Sequence, residues 1–217
     1  LRNVQLPACT YMPIGAFSGC TNLSYLSMGV TTIASNTFSN YTNFTTMILP
    51  SCTLVSTNAF RGCSNLTTVS LGNCSTLGNS AFMDCFKLQT ISLPICTKVG
   101  TNVFLSCSAL SQINLPSCTT LGNSAFNGCT KLFSISLPAC TSVGAYAFSN
   151  CTSLTSLTLP NCSTFGTGVI SGCTNLSTLK VGLTAVASSA FLNYTNLKAV
   201  TLYSCSRINT RAFSGCT

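Results

Sequence analysis

The chain almost lacks acidic residues: among its 217 residues Asp84 is the only side-chain carboxylate, and histidine, glutamate and tryptophan are absent. General acid–base catalysis needs a group that titrates near neutral pH, usually a histidine or one of two paired carboxylates. Glycosidase carboxylate pairs, Ser–His–Asp triads, histidine zinc sites and acidic calcium loops are therefore excluded. We predict that the protein is not an enzyme, with no catalytic residues, no cofactor and no metal.

Charge of either sign is scarce, since only 5% of the residues are charged against about a quarter in ordinary domains. The net charge of +8 reflects missing acids, because the nine lysines and arginines are scattered along the chain. Nucleic-acid binding needs cations gathered on one face, so we expect no nucleic-acid partner. No apolar run approaches the ~20 residues of a membrane span, and we expect none in this segment.

A repeat of 21–22 residues accounts for nearly the whole chain. A representative unit runs from Leu110 to Cys129, LSQINLPSCTTLGNSAFNGC. Ten such units fill residues 1–217 as a single domain with no linker. The column that fixes the register is phenylalanine in nine of the ten units and consists of Phe17, Phe38, Phe60, Phe82, Phe104, Phe126, Phe148, Ile170, Phe191 and Phe213.

Each unit predicts one coil of a solenoid. Leu-x-x-Ile-x-Leu has the alternation of a half-buried strand, and the proline that often follows it ends that strand. A second apolar position is followed in five units by glycine, which suggests a tight bend or a positive φ. The Ala-Phe pair then fills the interior of the coil from the side opposite the strand. A unit this short cannot bury its own apolar side chains, so neighbouring units must stack.

Leu-x-x-Ile-x-Leu-Pro followed by Ile/Val-Gly-x-x-Ala-Phe-x-x-Cys resembles the BspA-like, or Treponema pallidum-type, leucine-rich repeat, and the resemblance covers all ten units. The fold that we predict is a right-handed leucine-rich-repeat solenoid of ten coils, with one parallel β-sheet on one face and turns or short helical pieces on the other. The resemblance implies an extracellular or cell-surface module for adhesion or recognition, and no catalysis.

The outward positions of the predicted sheet form a nearly uncharged face rich in hydroxyl groups. We expect this face to bind a protein or a glycan through hydroxyl and amide hydrogen bonds, with two aromatic side chains as stacking anchors. Solvated strand-forming residues copied with the repeat are the simpler interpretation of the same pattern. The candidate binding residues are Tyr25, Thr46, Thr68, Thr90, Gln112, Phe133, Ser134, Ser156, Thr178, Lys180 and Lys198.

The ends of the repeat array leave an alternative open. Solenoids normally carry polar capping segments, and neither end of this sequence has one. We expect the chain to be a fragment of a longer array. Alternatively, it is a structural subunit of an extracellular fibre or coat that stacks end to end through uncapped coils.

Asn-x-Ser/Thr triplets are candidate N-glycosylation sites if the source has a eukaryotic secretory pathway. Three of the nine triplets have a cysteine in the middle and flank columns that we expect to be buried, so they are the poorest candidates. The other six are Asn22, Asn40, Asn43, Asn65, Asn175 and Asn193.

The sixteen cysteines form two columns of eight, and each member of the first precedes one of the second by 11 residues. This spacing suggests eight disulfides. However, the strand between the columns advances roughly 17 Å, whereas a disulfide needs Cα atoms about 4.4–6.8 Å apart. We predict mostly reduced, unreactive thiols that act as small buried hydrophobes. The two units that lack both cysteines carry Tyr41 and Tyr194 in the second column.

Overall fold

The computed structural model describes residues 1–216, which stack as ten coils of a parallel β-solenoid. We number the coils from their first apolar residue, and each contributes one strand of three or four residues to a first row. The first-row strands are β1 (Asn3–Leu6), β2 (Tyr25–Met28), β4 (Thr46–Ile48), β6 (Thr68–Ser70), β8 (Thr90–Ser92), β10 (Gln112–Asn114), β12 (Ser134–Ser136), β14 (Ser156–Leu159), β16 (Thr178–Val181) and β18 (Ala199–Leu202).

Nine two-residue strands form a second row on the other side of the coils. No helix forms within residues 1–216, so of the predicted turns or short helical pieces it is turns, together with the second-row strands, that complete each coil. The second-row strands are β3 (Thr32–Ile33), β5 (Leu54–Val55), β7 (Thr76–Leu77), β9 (Lys98–Val99), β11 (Thr120–Leu121), β13 (Ser142–Val143), β15 (Thr164–Phe165), β17 (Ala185–Val186) and β19 (Arg207–Ile208).

A single apolar core runs along the axis between the two rows and the turns. In coil 6, for example, Leu110, Leu115, Leu121 and Phe126 all point inward and are almost completely buried. The Phe rings stack face to face between coils, with centroids 5.2–5.7 Å apart from Phe60 to Phe148. Because each coil covers its neighbour's apolar side chains, stability comes from stacking between coils.

Hydroxyl groups reinforce the stacking at the corner after the first cysteine column. Thr53 Oγ1 donates to the Thr31 carbonyl at 3.1 Å, and Thr119 Oγ1 donates to the Thr97 carbonyl at 3.0 Å. Each bond joins one coil to the coil before it. The Ser or Thr that follows cysteine in the repeat therefore satisfies a backbone acceptor at this corner.

Two turn positions in every coil have positive φ. The two columns hold glycine at seven places and other residues at thirteen, and in coil 7 they are Tyr146 and Asn150, both with φ of 58°. Asn, Asp and Ser fill most of the thirteen because their short polar side chains tolerate the left-handed region. Tyr146 and Arg211 are bulky exceptions whose backbone conformation is strained.

The glycines after the second apolar position serve a different purpose from the one suggested by the sequence. Gly78, Gly100, Gly122, Gly144 and Gly166 do not have positive φ. A Cβ atom on Gly122 would lie 2.4 Å from the backbone carbon of Gly100 in the preceding coil. The positive-φ interpretation is therefore wrong for this column, and glycine is required because two backbones approach closely.

Coils 2 and 9 are one residue shorter than the others, and both shorten the corner after the first-row strand. Gly182 replaces proline at this corner of coil 9, where a Cβ atom would lie 2.3 Å from the Pro160 carbonyl oxygen. The buried Leu183 then takes the place of the first-column cysteine. Coil 2 has the same pair of replacements, Gly29 and Val30.

The shortened coils also explain the two tyrosines. In full-length coils a second-column thiol donates to a Phe carbonyl of the preceding coil, as Cys129 Sγ does to Phe104 at 3.2 Å. The Tyr41 and Tyr194 hydroxyls donate to the equivalent carbonyls of Phe17 and Ile170, at 2.7 and 2.8 Å. Coils 8 and 9 do not pair through β15 and β17, so the long tyrosine side chain bridges coils whose second-row strands are unpaired.

We predict that Tyr194→Phe lowers the free energy of unfolding by about 1 kcal/mol, the usual net loss for one hydrogen bond. The substitution keeps the ring and removes only the donor to Ile170. Tyr203→Phe is the matched control, because Tyr203 is 55% exposed and should change stability by less than about 0.5 kcal/mol. Urea unfolding followed by circular dichroism measures both, and equal effects would contradict a bridging role.

Candidate functional site

The outer face of the first row holds nearly all of the predicted binding residues. Eight of them lie in register, each in the first position of its strand, from Tyr25 in β2 to Thr178 in β16. Lys180 lies two positions further along β16, paired with Thr201. Phe133 and Lys198 lie directly before β12 and β18, so they border this face at the start of the strands.

The first row is not one continuous sheet. Six strands pair from β1 to β10 and four pair from β12 to β18, but β10 and β12 are not hydrogen-bonded to each other. The second row stays paired between the same coils, with Leu121 opposite Val143. Phe126 N also donates to the Ala147 carbonyl at 2.7 Å. Coils 6 and 7 are therefore held together on two sides and open only at the outer face.

A shallow depression of about 590 Å³ lies over this opening. Its polar lining consists of hydroxyl and amide groups, and the isoleucines at the middle positions of β8, β10 and β12 line its floor. Ile113 is only partly buried, unlike its neighbours Ile91 and Ile135. The residues that line the depression are Ile91, Ser92, Gln112, Ile113, Asn114, Ser134, Ile135, Ser136, Ser156 and Thr158.

The depression carries no charged side chain. Its hydroxyl groups donate and accept hydrogen bonds, and the amides of Gln112 and Asn114 do both with separate atoms. No group there titrates near neutral pH. The arrangement therefore provides hydrogen bonding and apolar contact and supplies no general acid, general base or activated nucleophile.

The structure divides the six candidate glycosylation sites into two sets. The side-chain amides of Asn65 and Asn175 donate to the Thr42 and Thr152 carbonyls, at 2.7 and 2.8 Å, and Asn43 makes the equivalent bond to Thr21. In these three residues, the nitrogen that a glycan would modify already donates a hydrogen bond to the preceding coil. The other three, Asn22, Asn40 and Asn193, are exposed, and their amides do not donate to the preceding coil within residues 1–216.

Burial of the cysteine columns is confirmed for twelve of the sixteen thiols, and the other four, in the first and last coils, are partly exposed. Burial raises the pKa of Cys52, Cys63 and Cys118 to about 12 from an ordinary 9.0, with a further contribution from neighbouring cysteines at Cys52 and Cys118. Burial disfavours the thiolate, which is the reactive form. Among residues 1–216, no group of three or more His, Cys, Asp or Glu side chains is arranged to hold a metal ion.

We expect a thiol reagent at pH 8 to label at most Cys9, Cys20, Cys205 and Cys216 in the folded protein, and all sixteen after unfolding. Mass spectrometry of alkylated, unreduced protein measures the count, and eight crosslinks between residues 11 apart would overturn this expectation. Because the folded pKa of buried thiols such as Cys52, Cys63 and Cys118 exceeds the unfolded value, the unfolded chain releases these protons first. Stability should therefore be constant below about pH 9 and fall as the pH rises toward 12.

The fold is that of a leucine-rich-repeat solenoid, and solved structures of this class resemble it. The T. pallidum leucine-rich repeat protein is 28% identical, with a TM-score of 0.64 over 71% of this chain and 77% of that one. An internalin from Listeria monocytogenes (17% identity, TM-score 0.52, 100% of this chain and 65% of that one) and the Drosophila Toll–Spatzle complex (18%, 0.53, 91% and 32%) share the fold. None of the curated proteins matches the chain.

The family model of the BspA type leucine rich repeat region matches residues 1–111 and 97–217. The chain therefore belongs to the BspA-type leucine-rich-repeat family, which is a family of surface proteins. Leucine-rich-repeat proteins are typically non-enzymatic binding modules. Within the described residues there is no helix of the length and apolarity needed to cross a membrane.

The sequence did not indicate the position of the depression. All ten coils have similar outward side chains, so the repeat pattern gave no reason to favour coils 5–8 over the others. The opening between β10 and β12 creates the depression there. One signal was available in the sequence: Phe86, Lys87, Lys131 and Phe133 depart from the repeat beside this part of the face.

Proposed function

We propose that the protein is an extracellular or cell-surface recognition module that binds a protein or glycan ligand on the outer face of its first strand row. The observation that carries this proposal is the depression over the opening between β10 and β12. The depression is a local concavity on this face, and ligand sites are usually concave. Its neutral hydroxyl and amide lining suits a polar ligand, and the family context of surface binding modules agrees.

Filling the depression should abolish recognition. Ser134 is exposed in β12 on the depression, so Ser134→Tyr should block it while adding a residue that strands accept. Thr164→Tyr, at an exposed position in the second row, is the matched control. Beads coated with each protein are allowed to adhere to decellularised extracellular matrix. We expect adhesion to fall at least fivefold for Ser134→Tyr and less than twofold for the control.

Two results would contradict this function. Coated beads that adhere no better than uncoated beads would remove recognition of matrix components altogether. Equal losses in the two variants would place the binding surface elsewhere on the solenoid.

A second candidate role is a structural subunit that stacks end to end. The first coil exposes Leu1, Tyr11 and Ile14, and the last exposes Tyr203 and Ile208. Strands β1 and β18 are each paired on one side only, so each offers backbone groups to a further strand. Electron microscopy of the purified chain tests this role: it predicts rods with a repeat of about 48 Å for ten coils, and single particles would exclude it.

A further inference from the structure

Beside the depression, the residues at the starts of the first-row strands differ from those that the repeat has in the other coils. The residue directly before the first buried leucine of a coil is an asparagine at both ends of the solenoid. Its amide there bonds to the preceding coil, as Asn65 does to Thr42 and Asn175 to Thr152. Four successive coils lack this asparagine and carry Lys87, Ala109, Lys131 and Ser153 instead. Since the asparagine amide holds neighbouring coils together through a hydrogen bond, its replacement by lysine cannot be explained by stacking.

Two exposed phenylalanines accompany the lysines. Phe86 is 47% exposed in a column that is otherwise threonine or serine, and Phe133 is 60% exposed. Exposed rings of this kind contribute little to the core. Aromatic side chains are enriched at binding surfaces, and the neighbouring lysines add positively charged hydrogen-bond donors.

These side chains line two grooves that follow each other along the solenoid axis. Phe86, Lys87, Gln89 and Lys131 line the first, of about 430 Å³. Phe133 and Lys198 line the second, of about 390 Å³, together with Asn175 and Asn196. Lys87 and Lys131 are two coils apart, which corresponds to about 10 Å along the axis. Cations therefore recur along a line, as a linear polyanion requires.

We propose that these two grooves bind an acidic glycan, a polysaccharide that carries carboxylate or sulfate groups. The proposal rests on the recognition function proposed above and names the ligand class. Lysine ammonium groups pair with the anionic substituents, and the Phe86 and Phe133 rings pack against the apolar faces of sugar rings. Gln89, Ser108 and Thr130 offer hydrogen bonds to sugar hydroxyls. With one acidic side chain in the whole chain, the net positive field attracts anions.

An acidic peptide fits the first groove less well than a glycan. Extended peptides commonly bind by adding a strand to a free sheet edge. Strands β6 and β8 beside this groove are each paired on both sides. The facing edges of β10 and β12 are unpaired, but Cα atoms of these strands lie within 8 Å of each other, whereas an intervening strand needs about 9.6 Å. No edge there can therefore accept an added strand. Side chains alone contact the ligand there, which suits a polymer that carries its own hydroxyl and anionic groups.

Direct binding of defined probes tests the proposal. The probes are fluorescein-labelled hexasaccharides of heparin, of hyaluronan and of uncharged chitin, and a hexaglutamate peptide, each followed by anisotropy with the full chain. We expect at least one acidic hexasaccharide to bind tenfold more tightly than both the chitin hexamer and the peptide. Failure of both acidic sugars to bind, or tighter binding of hexaglutamate, would overturn the proposal.

Variants locate the site. Lys87→Gln/Lys131→Gln should weaken binding of the acidic sugar at least tenfold, and Phe86→Ser, which restores the residue typical of that column, at least threefold. Arg61→Gln/Lys98→Gln removes the same charge from exposed positions outside both grooves and should change binding less than twofold. Equal weakening by the two double variants would mean that net charge alone is responsible, and would overturn the assignment to the grooves.

The matrix assay separates this proposal from the broader function. Treating the matrix with polysaccharide lyases removes acidic glycans. Adhesion that survives treatment and still depends on Ser134 supports recognition of another ligand and contradicts the glycan proposal. Adhesion that is lost when the matrix is treated supports both the recognition function and the acidic-glycan proposal. If protein-coated beads do not adhere to untreated matrix, the recognition function is contradicted. The anisotropy measurements still decide whether the grooves bind acidic sugars.

Discussion

Replacing Phe126 with alanine is expected to lower the free energy of unfolding by about 3–5 kcal/mol. The ring is completely buried and lies between Phe104 and Phe148, with centroids 5.2 and 5.4 Å away and nearly parallel planes. Alanine at this position leaves a cavity that rigid neighbouring coils cannot close. Because each coil is stabilised mainly by its neighbours, we also expect the solenoid to begin unfolding at this coil.

Urea unfolding followed by circular dichroism measures the loss, and Phe133→Ala provides the control. Phe133→Ala is the same substitution in the next coil, but the Phe133 ring is 60% exposed. The free energy of unfolding should therefore change by no more than about 0.5 kcal/mol. A Phe126→Ala protein that melts within a degree or two of the parent would show that the phenylalanine column is not a core.

Gly122→Ala is expected to destabilise the protein by about 3 kcal/mol, at the upper end of the range for overpacking. The added Cβ would lie 2.4–2.6 Å from backbone atoms of Gly100 and Thr101. Backbone atoms cannot move aside by changing a rotamer, so coils 5 and 6 would have to separate. The same contact is repeated from Gly78 to Gly166, and separation at one step disturbs the stacking of those that follow.

The control for this substitution is Gly72→Ala. A Cβ atom on Gly72 would have no atom within 4 Å, and its φ is not positive. Alanine there restricts the unfolded chain and should stabilise the protein by about 0.4–1 kcal/mol. Thermal and urea unfolding of the two variants should therefore shift in opposite directions. A shift in the same direction for both would mean that the glycine column does not mark close contact between coils.

The regular part of the architecture follows from the sequence. The spacing of the phenylalanine and leucine columns determines the number of coils, the positions of the first-row strands and the residues that point inward. The family resemblance added the fold class, which the family match confirms. These features were predictable because a repeated side chain meets the same side chain of the next coil, so local pattern and tertiary contact coincide.

Features that depend on the separation between coils were not predictable from the pattern. The positive-φ column at Tyr146 and Arg211 has no common residue type. The glycine column suggested a tight bend or a positive φ, whereas the structure places the backbone of the neighbouring coil against it. Likewise, the pattern did not indicate that the Tyr194 hydroxyl of the shortened coil 9 donates to the acceptor that a thiol uses in full-length coils.

By itself, the sequence determined that the protein is a stack of ten coils with an apolar axis and a neutral hydroxyl-rich face, without histidine or paired carboxylates. Only the tertiary structure decided where this face opens, between β10 and β12, and that the departures at Phe86, Lys87, Lys131 and Phe133 lie along the grooves beside that opening. The physical reason is that a repeat specifies equal contacts in every coil. The position at which strand pairing is interrupted depends on the packing of the whole stack.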